Sequence, residues 1–211
     1  MAEEPTRILL IRHASNDYVA TGRLAGRAPG VHLNDQGRLE TQAIAERLAS
    51  THLVAVFSSP LERAIETAGP IAARHGLIVR PLEDLVETDC GEWTGASIEA
   101  LRQTDLWRWI QTTPSCVRHP GGESMAEVQA RNVAAVEELR VTHSGQRIAV
   151  ISHSDPIKLM LAFYTGLHID MFQRLVIDPA SISELEFGPA RPRLVRSNDR
   201  AHLEAIGSEE K

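Results

Sequence analysis

Short apolar runs alternate along this chain with longer segments whose apolar positions recur at helical spacing, and that alternation predicts an α/β architecture. Arg7–Ile11, Val54–Phe57, Ile78–Pro81 and Arg147–Ile151 are too short for helices and read as strands. Leu175–Ile177, Ile182–Phe187 and Arg193–Val195 suggest further strands that finish the sheet. Between the first two runs, Asn34, Asp35 and Gly37 supply cap chemistry ahead of Leu39, Ala43, Ile44 and Leu48 at helical spacing. Ser58-Ser59-Pro60 suits the start of a helix over Leu61–Arg74. Ser97–Ile110, the long amphipathic Ser124–His143 and Ile157–Tyr164 complete the helices, with Pro114–Gly122 as a connector.

A chain of 211 residues suffices for one substantial domain, which at this size buries roughly 70% of its unfolded surface. No repeat, low-complexity tract or linker divides it, so a single domain over residues 1–206 is expected, followed by a frayed acidic tail at 207–211. Aromatics make up only 4% of the chain, which fits a layered helix and sheet core better than a stacked-aromatic surface. With 22 Lys and Arg against 28 Asp and Glu, the formal charge of -6 disfavours general attraction to nucleic acid or an anionic membrane. Any anion site must therefore be local. No apolar run approaches the ~20 residues that span a bilayer. Cys90 and Cys116 lack metal-ligand spacing and nothing at the N-terminus resembles a secretory signal, so a reduced, cytoplasmic protein is expected. The sequence carries no signal of oligomeric state.

Arg12 and His13 stand directly after the first strand, where open α/β sheets bind ligands. They can share a site only if the backbone turns between them, and the small polar run Ala14-Ser15-Asn16-Asp17 permits that turn. A neutral imidazole can attack phosphorus and hold it as phosphohistidine, while a guanidinium neutralises the non-bridging oxygens. Arg63 falls in the first turn of a helix, where the helix dipole disfavours a cation. Either it is a solvated partner of Glu62 or Glu66, or a bound phosphate removes the conflict. Ser152-His153-Ser154-Asp155 repeats the arrangement of a histidine at a strand-to-helix corner; His153 is a helix cap or, if the two strands are neighbours, a second flank of the same phosphate. Glu87 is either one exposed acid among several or a carboxylic acid, raised in pKa by the ester's charge, that protonates the leaving alkoxide.

Together these residues resemble the histidine phosphatase superfamily, the phosphoglycerate mutase-like family, along nearly the whole chain. The likeness rests on Arg12-His13, on Ser58-Ser59-Pro60-Leu61-Glu62-Arg63-Ala64-Ile65-Glu66-Thr67-Ala68, and on Glu87 to Gly95 with its Gly91, Trp93 and Gly95. Pro120-Gly121-Gly122-Glu123-Ser124 and Ser152-His153 follow in the family's order. The resemblance implies a three-layer α/β sandwich around a mixed, mainly parallel sheet. It also implies His13 as nucleophile, Glu87 as proton donor, and Arg12, Arg63 and His153 as the phosphate pocket, with no metal and no organic cofactor. The expected partner is a small phosphorylated metabolite.

Ala14-Ser15-Asn16 departs from the family's usual continuation; Asn16 either contacts phosphate or pins the loop. Arg23 resembles a substrate-side arginine and reads equally as a solvated loop cation, and Ser154 is a further candidate for substrate contact. The short stretch between Gly95 and Pro120 favours hydrolysis over transfer by a mutase, which generally carries an insertion there. Arg102, Arg108, Arg118 and His119 in that stretch are candidates to touch the substrate. Trp93, Trp107 and Trp109 are expected to pack rather than bind. A non-catalytic phosphate-binding protein is the remaining alternative, against which the presence of both His13 and Glu87 counts.

Overall fold

The computed structural model of the chain describes residues 4–204. Six strands form one sheet: β1 (Thr6–Arg12), β2 (Ala55–Ser58), β3 (Val79–Pro81), β4 (Arg147–Ser152), β5 (Ile182–Phe187) and β6 (Pro192–Asp199). Their order is β3-β2-β4-β1-β5-β6. The pairs β3/β2, β2/β4 and β4/β1 are parallel, whereas β5 runs antiparallel to both β1 and β6. Seven helices accompany it: α1 (Asp17–Ala20), α2 (Asp35–Leu48), α3 (Glu62–Arg74), α4 (Ile98–Leu101), α5 (Asp105–Thr112), α6 (Met125–Thr142) and α7 (Ser154–Thr165).

Alternation along β1 divides the core. Leu9 and Ile11 pack on one face against Ile44 and Leu48 of α2 and Ile71 of α3. Ile8 and Leu10 pack on the other against Val136 and Leu139 of α6 and Ile157, Met160 and Leu161 of α7. The result is the expected three-layer sandwich. Each fully buried aliphatic side chain contributes about 1.5–3 kcal/mol, so the centre of the sheet is the most firmly fixed part of the molecule.

Three local expectations are corrected. Leu175–Ile177 is not a strand: Val176 is 61% exposed, and the run crosses as a loop whose Ile177 carbonyl accepts a bond from Arg12 Nη1 at 2.7 Å rather than from a neighbouring strand. Ser97–Ile110 is not one helix. It breaks between α4 and α5 because Thr104 caps α5, its hydroxyl accepting from Trp107 N–H at 3.2 Å. Leu39 lies on the outer face of α2, 56% exposed, because the inner face of the first turns is taken by Gly37, Glu40 and Thr41. The expected tail at 207–211 lies outside the described residues. No helix among the described residues is long and apolar enough to cross a membrane.

Candidate active site

Because β1 and β4 pair in parallel with Arg12 opposite Ser152, the next residue of each strand, His13 and His153, leaves the sheet at the same level. His13 N–H donates to Ser152 O at 2.9 Å, and the ring centroids stand 5.1 Å apart. His13 Nδ1 lies 2.8 Å from the Ala14 carbonyl. A carbonyl can only accept, so Nδ1 carries the proton and Nε2 keeps its lone pair. Burial, then the charges of Arg63 and Arg12, hold the His13 pKa well below the ordinary histidine range. The ring is a neutral nucleophile at physiological pH.

His153 is the first residue before α7 yet caps nothing with its ring; Nε2 instead meets Ser59 Oγ at 2.7 Å. With the Ser59 hydroxyl donating, His153 Nδ1 carries the proton. That atom is fully buried and has no hydrogen-bond partner among the described residues.

Arg63 resolves the choice left open by the sequence. It is 1% exposed, and the one hydrogen bond of its guanidinium among the described residues runs from Nη2 to Gly26 O at 2.8 Å. It forms no ion pair with any described carboxylate, Glu62 and Glu66 included. An uncompensated buried charge costs several kcal/mol, and its place at a helix start adds about 0.3–1 kcal/mol more. The nearby Glu87 and Glu62 carboxylates offset that sum only in part, since burial still holds the Arg63 pKa below its ordinary value, and an anion in front of the guanidinium would offset it further. Arg63 Nε and Nη1, Arg12 Nε and Asn16 Nδ2 are all buried without partners, and these residues line one cavity of about 400 Å³ together with His13 and Glu87. His153, expected in the phosphate pocket, is fully buried against the His13 ring and is not among the residues that line the cavity.

Glu87 stands on the loop after β3, with Oε1 accepting from Thr88 N–H at 2.8 Å and Oε2 3.9 Å from His153 Nδ1. Burial, and next the nearby carboxylate of Asp155, push its pKa up to about 7 against the pull of Arg63 and Arg12. A donor poised near neutrality is what general acid catalysis requires.

The loop behind His13 is held from three sides. Thr67 Oγ1 accepts from Ala14 N–H at 3.0 Å, and the Glu40 carboxylate accepts from Ser15 N–H and Oγ at 2.8 and 2.9 Å. Gly37 is required there, since a Cβ would lie 2.0 Å from the Ser15 carbonyl. Asn16 pins the loop, its Oδ1 capping α1 by accepting from Val19 N–H at 3.0 Å, and its Nδ2 is buried without a partner among the described residues.

Arg23 and Ser154 also line the cavity. Arg23 is anchored by two bonds to Gly95 O at 2.9 and 2.7 Å, which makes it a wall rather than a free loop cation. Of the four candidates in the 97–119 stretch, Arg102 and His119 line the cavity. Arg108 pairs with Asp105 at 2.9 Å and Arg118 with Glu127 at 2.5 Å, away from it. Trp107 proves to be a wall residue as well as a packing one. Sequence reasoning passed over Asp155, Lys158 and Gln173, which line the cavity with Lys158 Nζ 2.7 Å from Gln173 Oε1. Asp155 and Lys158 stand two and five residues after His153, in the first turns of α7. Nothing in the sequence pointed to Gln173.

A neutral imidazole with a free Nε2, facing unpaired guanidinium and amide donors beside a protonatable carboxyl, is a phosphoryl-transfer geometry. Residues 8–200 match the family model of the histidine phosphatase superfamily, branch 1. The chain belongs to the histidine phosphatase superfamily. Among relatives within it, phosphoserine phosphatase 1 of Hydrogenobacter thermophilus is 31% identical over 200 residues, covering 93% of this chain and 94% of that protein. The solved structure of a mycobacterial glucosyl-3-phosphoglycerate phosphatase in complex with VO3 superposes with a TM-score of 0.82 at 29% identity, covering 92% of this chain and 99% of that one. YhfR of Bacillus stearothermophilus shares the fold with a TM-score of 0.88 at 23% identity, covering 94% of this chain and 100% of its own. Like its phosphatase relatives in the superfamily, the chain is a phosphoric monoester hydrolase.

Proposed function

We propose that this hydrolase cleaves small phosphate monoesters in two displacements at His13. In the first, His13 Nε2 bonds to phosphorus as the ester P–O bond breaks, and protonated Glu87 gives its proton to the departing alkoxide. In the second, the Glu87 carboxylate takes a proton from water, whose oxygen bonds to phosphorus as the P–N bond breaks; phosphate and neutral His13 are released. Arg12 and Arg63 supply positive charge and, with Asn16, hydrogen bonds to the non-bridging oxygens, a role that grows as charge spreads over them in the transition state, while the neutral His153 packs against the His13 ring. The observation that carries this reading is Arg63: a buried guanidinium with two unpartnered nitrogens, facing the same cavity as the free nitrogen of His13.

The named relatives act on phosphoserine and glucosyl-3-phosphoglycerate, esters that also bear a carboxylate. Their substrates head the panel of alkyl esters to be tried, beside sugar phosphates and p-nitrophenyl phosphate. Two free cysteines and the overall charge support a cytoplasmic enzyme that acts on metabolites rather than nucleic acid. The test compares wild type with Glu87→Gln. For kcat/KM, which reports the first displacement alone, alkyl esters are expected to fall about 10²–10⁴-fold and p-nitrophenyl phosphate far less, because a good leaving group departs without a proton. Equal slowing of both, or phosphate passed between substrates without release, contradicts the proposal.

A further inference from the structure

The segment that carries Glu87 is crowded with like charge: Glu83, Asp84, Glu87, Asp89 and Glu92 fall within ten residues. Left to itself such a loop would repel its own carboxylates and expose them to water. Instead it is tied down, and by groups for which the reaction has no use. Arg131, on α6 and 15% exposed, donates from Nη1 to Asp84 O at 2.8 Å and Val86 O at 2.7 Å, and from Nη2 to Glu87 O at 3.1 Å. Arg27, from the loop after α1, reaches the same Glu87 carbonyl with Nε at 2.8 Å. Glu123 joins the two arginines. Its carboxylate meets Arg27 Nη2 at 2.7 Å and Arg131 Nε and Nη2 at 3.1 Å, and accepts from Asp89 N–H at 3.0 Å.

The backbone closes the arrangement. Glu123 N–H donates to Asp89 O at 2.9 Å and Glu92 N–H to Pro120 O at 2.9 Å. A Cβ on Gly91 would lie 2.0 Å from Pro120 O and one on Gly122 would lie 2.2 Å from Asp89 O. The Pro120–Ser124 motif is therefore pressed against the Glu87–Glu92 segment. Ser124 then starts α6 with a capping box, which fixes the helix that presents Arg131.

We propose that Arg131, Glu123 and Arg27 form a clamp of positioning residues that holds the Glu87 carboxyl at the distance and angle needed for proton transfer. The clamp acts on the backbone on either side of Glu87 and leaves its side chain free for the substrate. It rests on the reading of Glu87 as the proton donor. Misplacing a catalytic group by about 1 Å costs on the order of 10²-fold, so two guanidiniums converging on one carbonyl serve a catalytic end as well as a structural one.

The test compares Glu123→Gln, Arg131→Lys and Glu87→Gln on the fastest alkyl ester of the panel and on p-nitrophenyl phosphate, with inorganic phosphate as a competitive inhibitor. Glu123→Gln and Arg131→Lys are expected to lower kcat/KM, which reports the first displacement, about tenfold or more for the alkyl ester and less than about threefold for p-nitrophenyl phosphate, with the phosphate inhibition constant unchanged. The alkaline limb of the alkyl pH profile moves to lower pH as the loosened carboxyl becomes better solvated. In the Glu87→Gln background, adding Glu123→Gln changes the alkyl rate less than about twofold, since residues acting through one group are not additive. Arg27→Lys, at a half-buried site, shows the same pattern more weakly and replaces Glu123→Gln if that variant does not fold. Equal loss on both esters, weakened phosphate binding, or full additivity with Glu87→Gln overturns the clamp. If Glu87→Gln discriminates between the esters and the clamp variants do not, the clamp alone falls. If Glu87→Gln itself does not discriminate, the proton-donor reading falls and takes the clamp with it.

Discussion

The inner and outer halves of the cavity are built from different material. At the inner end, His13 and His153 leave two neighbouring strands of the central sheet, and Arg63 and Ser59 stand at the start of α3 after a third. All four side chains are buried: His153 and Ser59 bond each other, Arg63 bonds the Gly26 carbonyl, and His13 bonds the Ala14 carbonyl beside it. The outer wall comes from α1, α4 and α5, of four, four and eight residues, well below the ~12–15 at which an isolated helix becomes even marginally stable. Arg23 and Arg102 there are exposed, and Tyr18 and Trp107 are half-buried. Sheet register thus fixes the reaction, while segments that contribute little to the core shape what surrounds the leaving group. The wall can change its residues without disturbing the strands.

The two halves should respond differently to substitution. At the inner end, His13→Ala is expected to abolish turnover of every ester, a loss of roughly 10⁴-fold or more, with little change in melting temperature. Arg63→Lys keeps the charge but loses the planar fork; about 10²-fold in kcat/KM on all esters alike, with weaker inhibition by inorganic phosphate, is the expected result. At the outer wall, Trp107→Ala or Arg102→Ala should alter KM by up to about tenfold, and by different factors for different esters. A uniform loss across the panel from the wall variants would erase the distinction.

The smallest effect concerns pH and joins the two halves. Glu87 is protonated below its pKa of about 7, so hydrolysis of alkyl esters should decline as pH rises through that value. Burial is the main cause of the raised pKa and the Asp155 carboxylate the next. Asp155→Asn removes the second cause, and the decline should begin at lower pH by a fraction of a unit, leaving p-nitrophenyl phosphate nearly unaffected. A decline that stays in place would show that Asp155 does not bear on Glu87.

The contrast also explains what the sequence disclosed. The inner residues follow short apolar strands or open a capped helix, and both are local patterns with a direct geometric meaning: once β1 and β4 are neighbours, His13 and His153 must meet. The resemblance in motifs added Glu87, which an acidic loop could not single out. Asp155 and Lys158 reach the cavity from a helix whose first turns read as ordinary amphipathic chain, and Gln173 arrives on a turn that carries no pattern. The false strand at Leu175–Ile177 has a similar origin, because a three-residue apolar run does not say whether its backbone pairs with a strand or, as at Ile177, with a side chain. Arg108 and Arg118 are drawn into pairs with Asp105 and Glu127, exposed partners that the expected helix and connector did not single out.

The central claim is that phosphorus bonds to one ring nitrogen of one histidine. Wild-type enzyme mixed with a radiolabelled phosphate ester, quenched in alkali and digested for mass spectrometry, should carry the label on the peptide bearing His13. That label should be lost in mild acid and absent from His13→Ala. Label on another residue, or turnover retained by His13→Ala, would contradict the account.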